Sequence, residues 1–174
     1  MKTRHTGFTL FELMVGVAIM GILVSLAVPS FQEFGRNTRT VSAQNDLVTA
    51  FNYGRSEAIR RSVPVTVCAT DNFTSCGTSA DWVQGWLAFQ DTNADNAIDV
   101  GEDILQMWRG PGEENVTIAV AGLGAQRVQF TPTGMVNPNT VTKTYLIHSN
   151  SCETGANLRR RIQVNVIGSI LSDR

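Results

Sequence analysis

Cysteine, histidine and net charge are all scarce in this chain. Three cysteines in 174 residues, with no C-x-x-C pair, are too few for a disulfide-stapled mini-protein and lack zinc-ligand spacing. There are two histidines, His5 and His148. His148 falls at the end of an expected strand with no serine or cysteine in a nucleophile motif, so the chain is read as a non-enzyme. No charge of one sign dominates: 14 Lys and Arg face 15 Asp and Glu. That excludes a broadly basic nucleic-acid binder. A content of 17% charged and 43% hydrophobic residues excludes an acidic disordered chain. Internal repeats and low-complexity linkers are absent, and the length suits one domain with an appendage.

What the sequence does have is one long apolar run, Phe8 to Val28, FTLFELMVGVAIMGILVSLAV. Its 21 residues carry a single charge, Glu12. As a helix it would reach about 31 Å, the thickness of a bilayer core. Lys2 and Arg4 precede it with no acidic residue, which places that end in the cytoplasm and the following chain across the membrane. A cleaved secretory signal is the competing reading, with Ser25 and Ala27 as a weak cut site. The run is too long for it, and helix-forming sequence continues past Pro29. Glu12 is the residue that a plain anchor does not explain. A carboxylate in a membrane helix costs about 2.5–3.5 kcal/mol, so a partner is implied. An α-amino group made by cutting the chain before Phe8 would serve.

A helical pattern resumes beyond Pro29, where a kink is expected. Ala43, Leu47, Phe51, Gly54 and Ala58 form an apolar stripe suited to packing on a sheet. Glu57 and Arg61 make a helix-supporting pair, and Pro64 stops the helix. Strands follow: Val63 to Cys68, Trp82 to Phe89, Asp103 to Trp108, Val116 to Val120, Gln126 to Thr131, Thr142 to His148 and Arg161 to Ile167. Turn clusters such as Arg109-Gly110-Pro111-Gly112 separate them. Trp82 and Trp86, four apart in one expected strand, share a face; with Trp108 they read as core or interface. The fold class is α+β: a long N-terminal helix, half membrane-type and half amphipathic, packed on an antiparallel sheet or sandwich.

Three constellations carry candidate chemistry. Asp91, Asn93, Asp95, Ala97, Asp99 and Glu102 fall at positions 1, 3, 5, 7, 9 and 12 of a calcium loop, with Asn96 in place of the usual glycine. Their flanks look like strands rather than helices, and a loop held by Asx turns is the competing reading. Cys68, Cys76 and Cys152 suit an oxidising compartment, and any of three pairings is open. Arg159, Arg160 and Arg161 form the only basic cluster, a candidate for phosphate contact. It reads better as a charged run that discourages pairing at a strand edge.

Gly7-Phe8-Thr9-Leu10-Phe11-Glu12-Leu13 resembles the class III signal of type IV pilins and pseudopilins. In the second half, Cys68 and Cys76 followed by Trp82, Gly85, Trp86, Phe89, Asp91, Asn93, Asp95, Asp99, Gly101 and Glu102 resemble the GspH/FimT-type minor pilins, those of the FimU kind most closely. The resemblance implies cleavage by a prepilin peptidase between Gly7 and Phe8, N-methylation of Phe8, and pairing of Glu12 with a neighbouring subunit's amine. It also implies a Pro29 kink. The implied organisation is a leader at 1–7, a membrane and filament-core helix at 8–28, its amphipathic continuation at 29–62, and a periplasmic β-domain at 63–174. Partners would be other minor pilins, the major pilin and the inner-membrane assembly platform. The location would be the inner membrane, single-pass, then a pilus or pseudopilus. A type II secretion pseudopilin of the H kind and a FimT-like DNA-binding pilin are the alternatives. The stretch matching the FimT Gly-Arg-x-Arg is Gly168-Ser169-Ile170-Leu171, which lacks both arginines. Losing Lys2 and Arg4 with the leader leaves 12 of the 14 basic residues against 15 acidic ones, net −3, which disfavours DNA further.

Overall fold

The structure, a computed structural model, describes residues 9–77, 82–112, 116–121, 126–138, 142–149 and 159–173, the side chains at 29, 30, 32 and 33 excepted. One helix, α1 (Leu10–Arg61), passes through two compact units, residues 1–36 and 37–174.

In the first unit, the apolar side chains of α1 from Leu10 to Leu26 are exposed. Leu10–Val28 is long and apolar enough to cross a membrane. The helix continues through position 29 without an interruption in its assignment.

In the second unit, α1 buries Ala43, Leu47, Ala50, Phe51 and Ala58, spaced three and four apart as the expected stripe requires. Ser62, at φ 58, turns the chain out of the helix ahead of Pro64. Glu57 accepts hydrogen bonds from Arg60 Nη2 at 2.5 Å and Arg61 Nε at 2.6 Å, so it pairs with two arginines where the sequence suggested one.

Nine strands are present among the described residues: β1 (Val65–Ala69), β2 (Gly85–Gln90), β3 (Ile104–Arg109), β4 (Val116–Ala121), β5 (Arg127–Phe130), β6 (Val136–Asn137), β7 (Lys143–Ser149), β8 (Arg160–Val164) and β9 (Ile170–Asp173). They form two sheets, β3-β2-β1-β5-β6 and β4-β7-β8-β9, with all pairings antiparallel. Seven of them fall on the expected strands, within a few residues. β6 and β9 were not foreseen. β6 has only two residues, and β9 carries no buried residue, so neither alternates.

The main core joins α1 to both sheets. Phe51, Trp82 and Tyr145 meet at centroid distances of 5.0–5.8 Å, pairs worth about 0.5–1.5 kcal/mol each beyond area burial. Burial holds the Tyr145 hydroxyl well above the usual tyrosine range. Trp82 lies just before β2 rather than in it, so the two tryptophans do not share a strand face. They still meet in the core, 6.4 Å apart. β1 is buried along its whole length because its second face is covered too. There Cys68, Leu87 and Phe89 pack against Cys76, Ile98 and Ile104, contributed by the β1–β2 and β2–β3 connections and by β3. This second core positions the loop at 91–103.

Candidate functional site

The start of α1 is built by Thr9. Its Oγ1 accepts the Glu12 backbone N–H at 3.2 Å, satisfying one of the four free donors of the first turn. The sequence carries the sign of this cap, a threonine followed three residues later by glutamate, ahead of an apolar run. Glu12 is therefore in the first helical turn, where the partial positive charge of the helix terminus favours a carboxylate. Leu13, Gly16, Val17 and Met20 line a shallow groove with it, of about 620 Å³. The result is a single acid in the exposed apolar segment Leu10–Val28. Gly7 and Phe8, the expected processing pair, lie outside the described residues.

The candidate calcium loop is closed by its own hydrogen bonds. Asp91 is fully buried, and its Oδ2 accepts from Thr66 Oγ1 at 2.7 Å, Gln129 Nε2 at 2.6 Å and the Asn96 N–H at 3.1 Å. Glu102 accepts from the N–H groups of Thr92 and Asp99. Asn93 Nδ2 donates to both Asp95 and Asp99 at 2.9 Å, and Asp95 accepts the Ala97 N–H. Asn96 takes the left-handed conformation at φ 67. Arg127 Nη1 fixes the Asn96 carbonyl at 2.6 Å. Among the described residues, no three His, Cys, Asp or Glu side chains are grouped so as to hold a metal ion. The geometry is that of a lid pinned on the sheet by Asp91 and laced by Asx-type turns.

Of the three cysteines, Cys68 and Cys76 form a disulfide, and Cys152 lies outside the described residues. The arginines do not make one basic face. Arg159 is exposed. Arg160 Nη2 turns to Asn37 Oδ1 at 3.3 Å, while Arg161 pairs with Asp173 at 2.6 Å. The edge role expected of them is corrected: β8 lies between β7 and the unforeseen β9, so it is not an edge. His148 is half-buried, with Nδ1 3.2 Å from the Ser149 carbonyl oxygen.

A family model described as the prokaryotic N-terminal methylation motif matches residues 2–28. A second, described as Type II transport protein GspH, matches residues 43–168, well over half the chain. The chain belongs to the GspH family. It carries the N-terminal signal of type IV pilins and pseudopilins ahead of the GspH domain.

Known proteins resemble this GspH-family member to different extents. The type IV minor pilin FimU of Pseudomonas aeruginosa shares the fold, with a TM-score of 0.62 and 21% identity over 81% of this chain and 92% of that one. A pilin-like protein PilA1 of Thermus thermophilus is 29% identical over 140 residues, 78% of this chain and 83% of that protein. A fimbrial protein of Pseudomonas aeruginosa is 37% identical over 68 residues, 39% of this chain and 44% of the fimbrial protein, so less than half of that relative is spanned. Among the GspH-domain features, the sequence did not reveal Thr66, Gln129 and Arg127 as supports of the loop. Nothing in their spacing could reveal it, since β1 and β5 meet only through the sheet.

Proposed function

We propose that this GspH-family chain is a minor type IV pilin: a membrane-anchored subunit that primes or joins pilus assembly near the tip. One observation carries the reading. Glu12 is the lone acid in the exposed apolar segment Leu10–Val28 of α1, in the first turn of the helix, where an incoming amine would neutralise it. A prepilin peptidase would cut between Gly7 and Phe8, and Phe8 would be methylated. The inner membrane would hold the helix until an assembly platform transfers it to a filament with other minor pilins and the major pilin. The β-domain would face the periplasm. The activity is assembly rather than turnover.

A deletion strain complemented with wild type or Glu12→Gln tests this. Surface pili should be lost on deletion, restored by wild type and not restored by Glu12→Gln. Normal piliation in the deletion strain would overturn it. The family's description as a type II transport protein favours a second reading, the H-type pseudopilin of a secretion system. Loss of exoprotein secretion with pili intact in the same strain selects that reading. A DNA-uptake role draws less support, because Arg161 is already paired with Asp173.

A further inference from the structure

β3 is the outer strand of the first sheet, paired only with β2 among the described strands. Its sequence, ILQMWR, has no proline and no acidic residue, and its one irregularity lies opposite Ala88/Phe89, away from Met107 to Arg109. Among the described residues, its Leu105 carbonyl accepts a hydrogen bond from the Tyr53 hydroxyl and its Met107 carbonyl accepts one from Gln106 Nε2, both at 3.5 Å, so the Arg109 end is the part of this edge that offers a template for a further strand. At that half of β3 lies a cavity of about 320 Å³ lined by Phe73, Met107, Trp108 and Arg109. Phe73 holds its wall at a conformational cost: φ is 59, a region that bulky residues rarely take, and such strain tends to mark functional sites. The β1–β2 connection enforces it. The Cys68–Cys76 disulfide closes the loop, Thr70 Oγ1 accepts the Phe73 N–H at 3.0 Å, and Asn72 Oδ1 accepts the N–H groups of Thr74 and Ser75. Gly85 lies beneath the ring; a Cβ there would come within 2.7 Å of it. Met107 is 51% exposed.

Arg109 also lines a neighbouring cleft of about 210 Å³ with Arg39 and Asp46. Two arginines and one aspartate thus line the same cleft, and neither arginine is in an ion pair among the described residues. We propose that the β3 edge and these two hollows dock an extended acidic segment of a partner protein. Its main chain would add to β3 as a strand. An aromatic or aliphatic side chain would fill the Phe73–Met107–Trp108 cavity. A carboxylate further along would meet Arg109 and Arg39, the charge complement of the cleft. The inference deepens the assembly reading by naming the partner's chemistry. Peptide binding is read directly, so it can fail while the filament reading stands.

The test uses the full chain in detergent micelles and a fluorescein-labelled peptide, Thr-Val-Phe-Val-Glu-Glu, read by anisotropy. Saturable binding is expected. The Lys-Lys counterpart and the Arg109→Glu variant should each weaken it by about tenfold or more. Replacing the peptide's phenylalanine by alanine should weaken it similarly. Arg109 is exposed, so the variant should keep the wild-type melting temperature, which confirms its fold. Absence of binding, equal binding of acidic and basic peptides, or no effect of Arg109→Glu would overturn the proposal. So would sedimentation showing a dimer that Arg109→Glu dissolves, since a second copy would then be the occupant.

Discussion

A Cβ on Gly54 would lie 2.6 Å from Cγ2 of Val67, closer than real Cβ contacts come. Helix α1 therefore meets β1 where only a glycine leaves room, and both residues are buried. Gly54→Ala gains about 1 kcal/mol of helix propensity and loses about 1–3 kcal/mol to overpacking. The expected balance is a lower melting temperature, and Gly54→Leu should fall further. A thermal melt of both variants checks this.

Asp91 anchors the 91–102 lid through three donors, so Asp91→Ala leaves Thr66 and Gln129 buried with their acceptor removed. A loss of about 2–4 kcal/mol is expected in urea denaturation. Because Asp91 Oδ2, Asp95, Asp99 and Glu102 are already bonded to donors of the sheet and the loop, EDTA should leave the wild-type melting temperature unchanged. A drop on chelation that Ca²⁺ restores would show that the loop takes a cation.

Glu57 is held below the usual glutamate range by its hydrogen bonds to Arg60 and then Arg61. A carboxyl whose folded-state value is depressed contributes stability above its unfolded value, near 4.5, and loses it as pH falls. This contribution should decline as pH falls through and below about 4.5. Glu57→Gln should show a shallower decline below about pH 4.5, measured by urea denaturation.

Lys143 has the opposite sense. It is 2% exposed, its Nζ donates to the Arg127 carbonyl, and burial followed by the Arg127 charge lowers it from 10.5 to about 8. Between those values the unfolded chain holds a proton that the folded one lacks, so this contribution to stability rises with pH. Below about pH 8 the penalty is constant, at most about 3 kcal/mol. The stability difference between Lys143→Met and wild type should shift towards wild type from pH 7.5 to 10, over roughly the window these values set. A constant difference would contradict it.

An unbroken apolar run made the first half of α1 legible in the sequence, and periodicity its buried stripe and seven strands. A stripe at three and four residues survives any context, whereas β9 shows no buried face and gave no period to read. Charge at Arg159 to Arg161 was legible as composition but not as placement. Its partners, Asn37 and Asp173, come from a helix and a strand distant in sequence. The spacing of 91–102 offered two readings, a calcium loop and a loop held by Asx turns. Whether those oxygens face a cation or their own backbone depends on the sheet below, through Thr66 and Gln129. The Thr9 cap was missed, although a threonine three residues ahead of Glu12 carries its sign.

Processing comes first, because Glu12 has an amine to meet only if the chain is cut before Phe8. Mass spectrometry of the protein from a strain with active prepilin peptidase tests it directly. The expected result is a chain beginning at N-methylated Phe8. A chain that still begins at Met1 in that strain would contradict it.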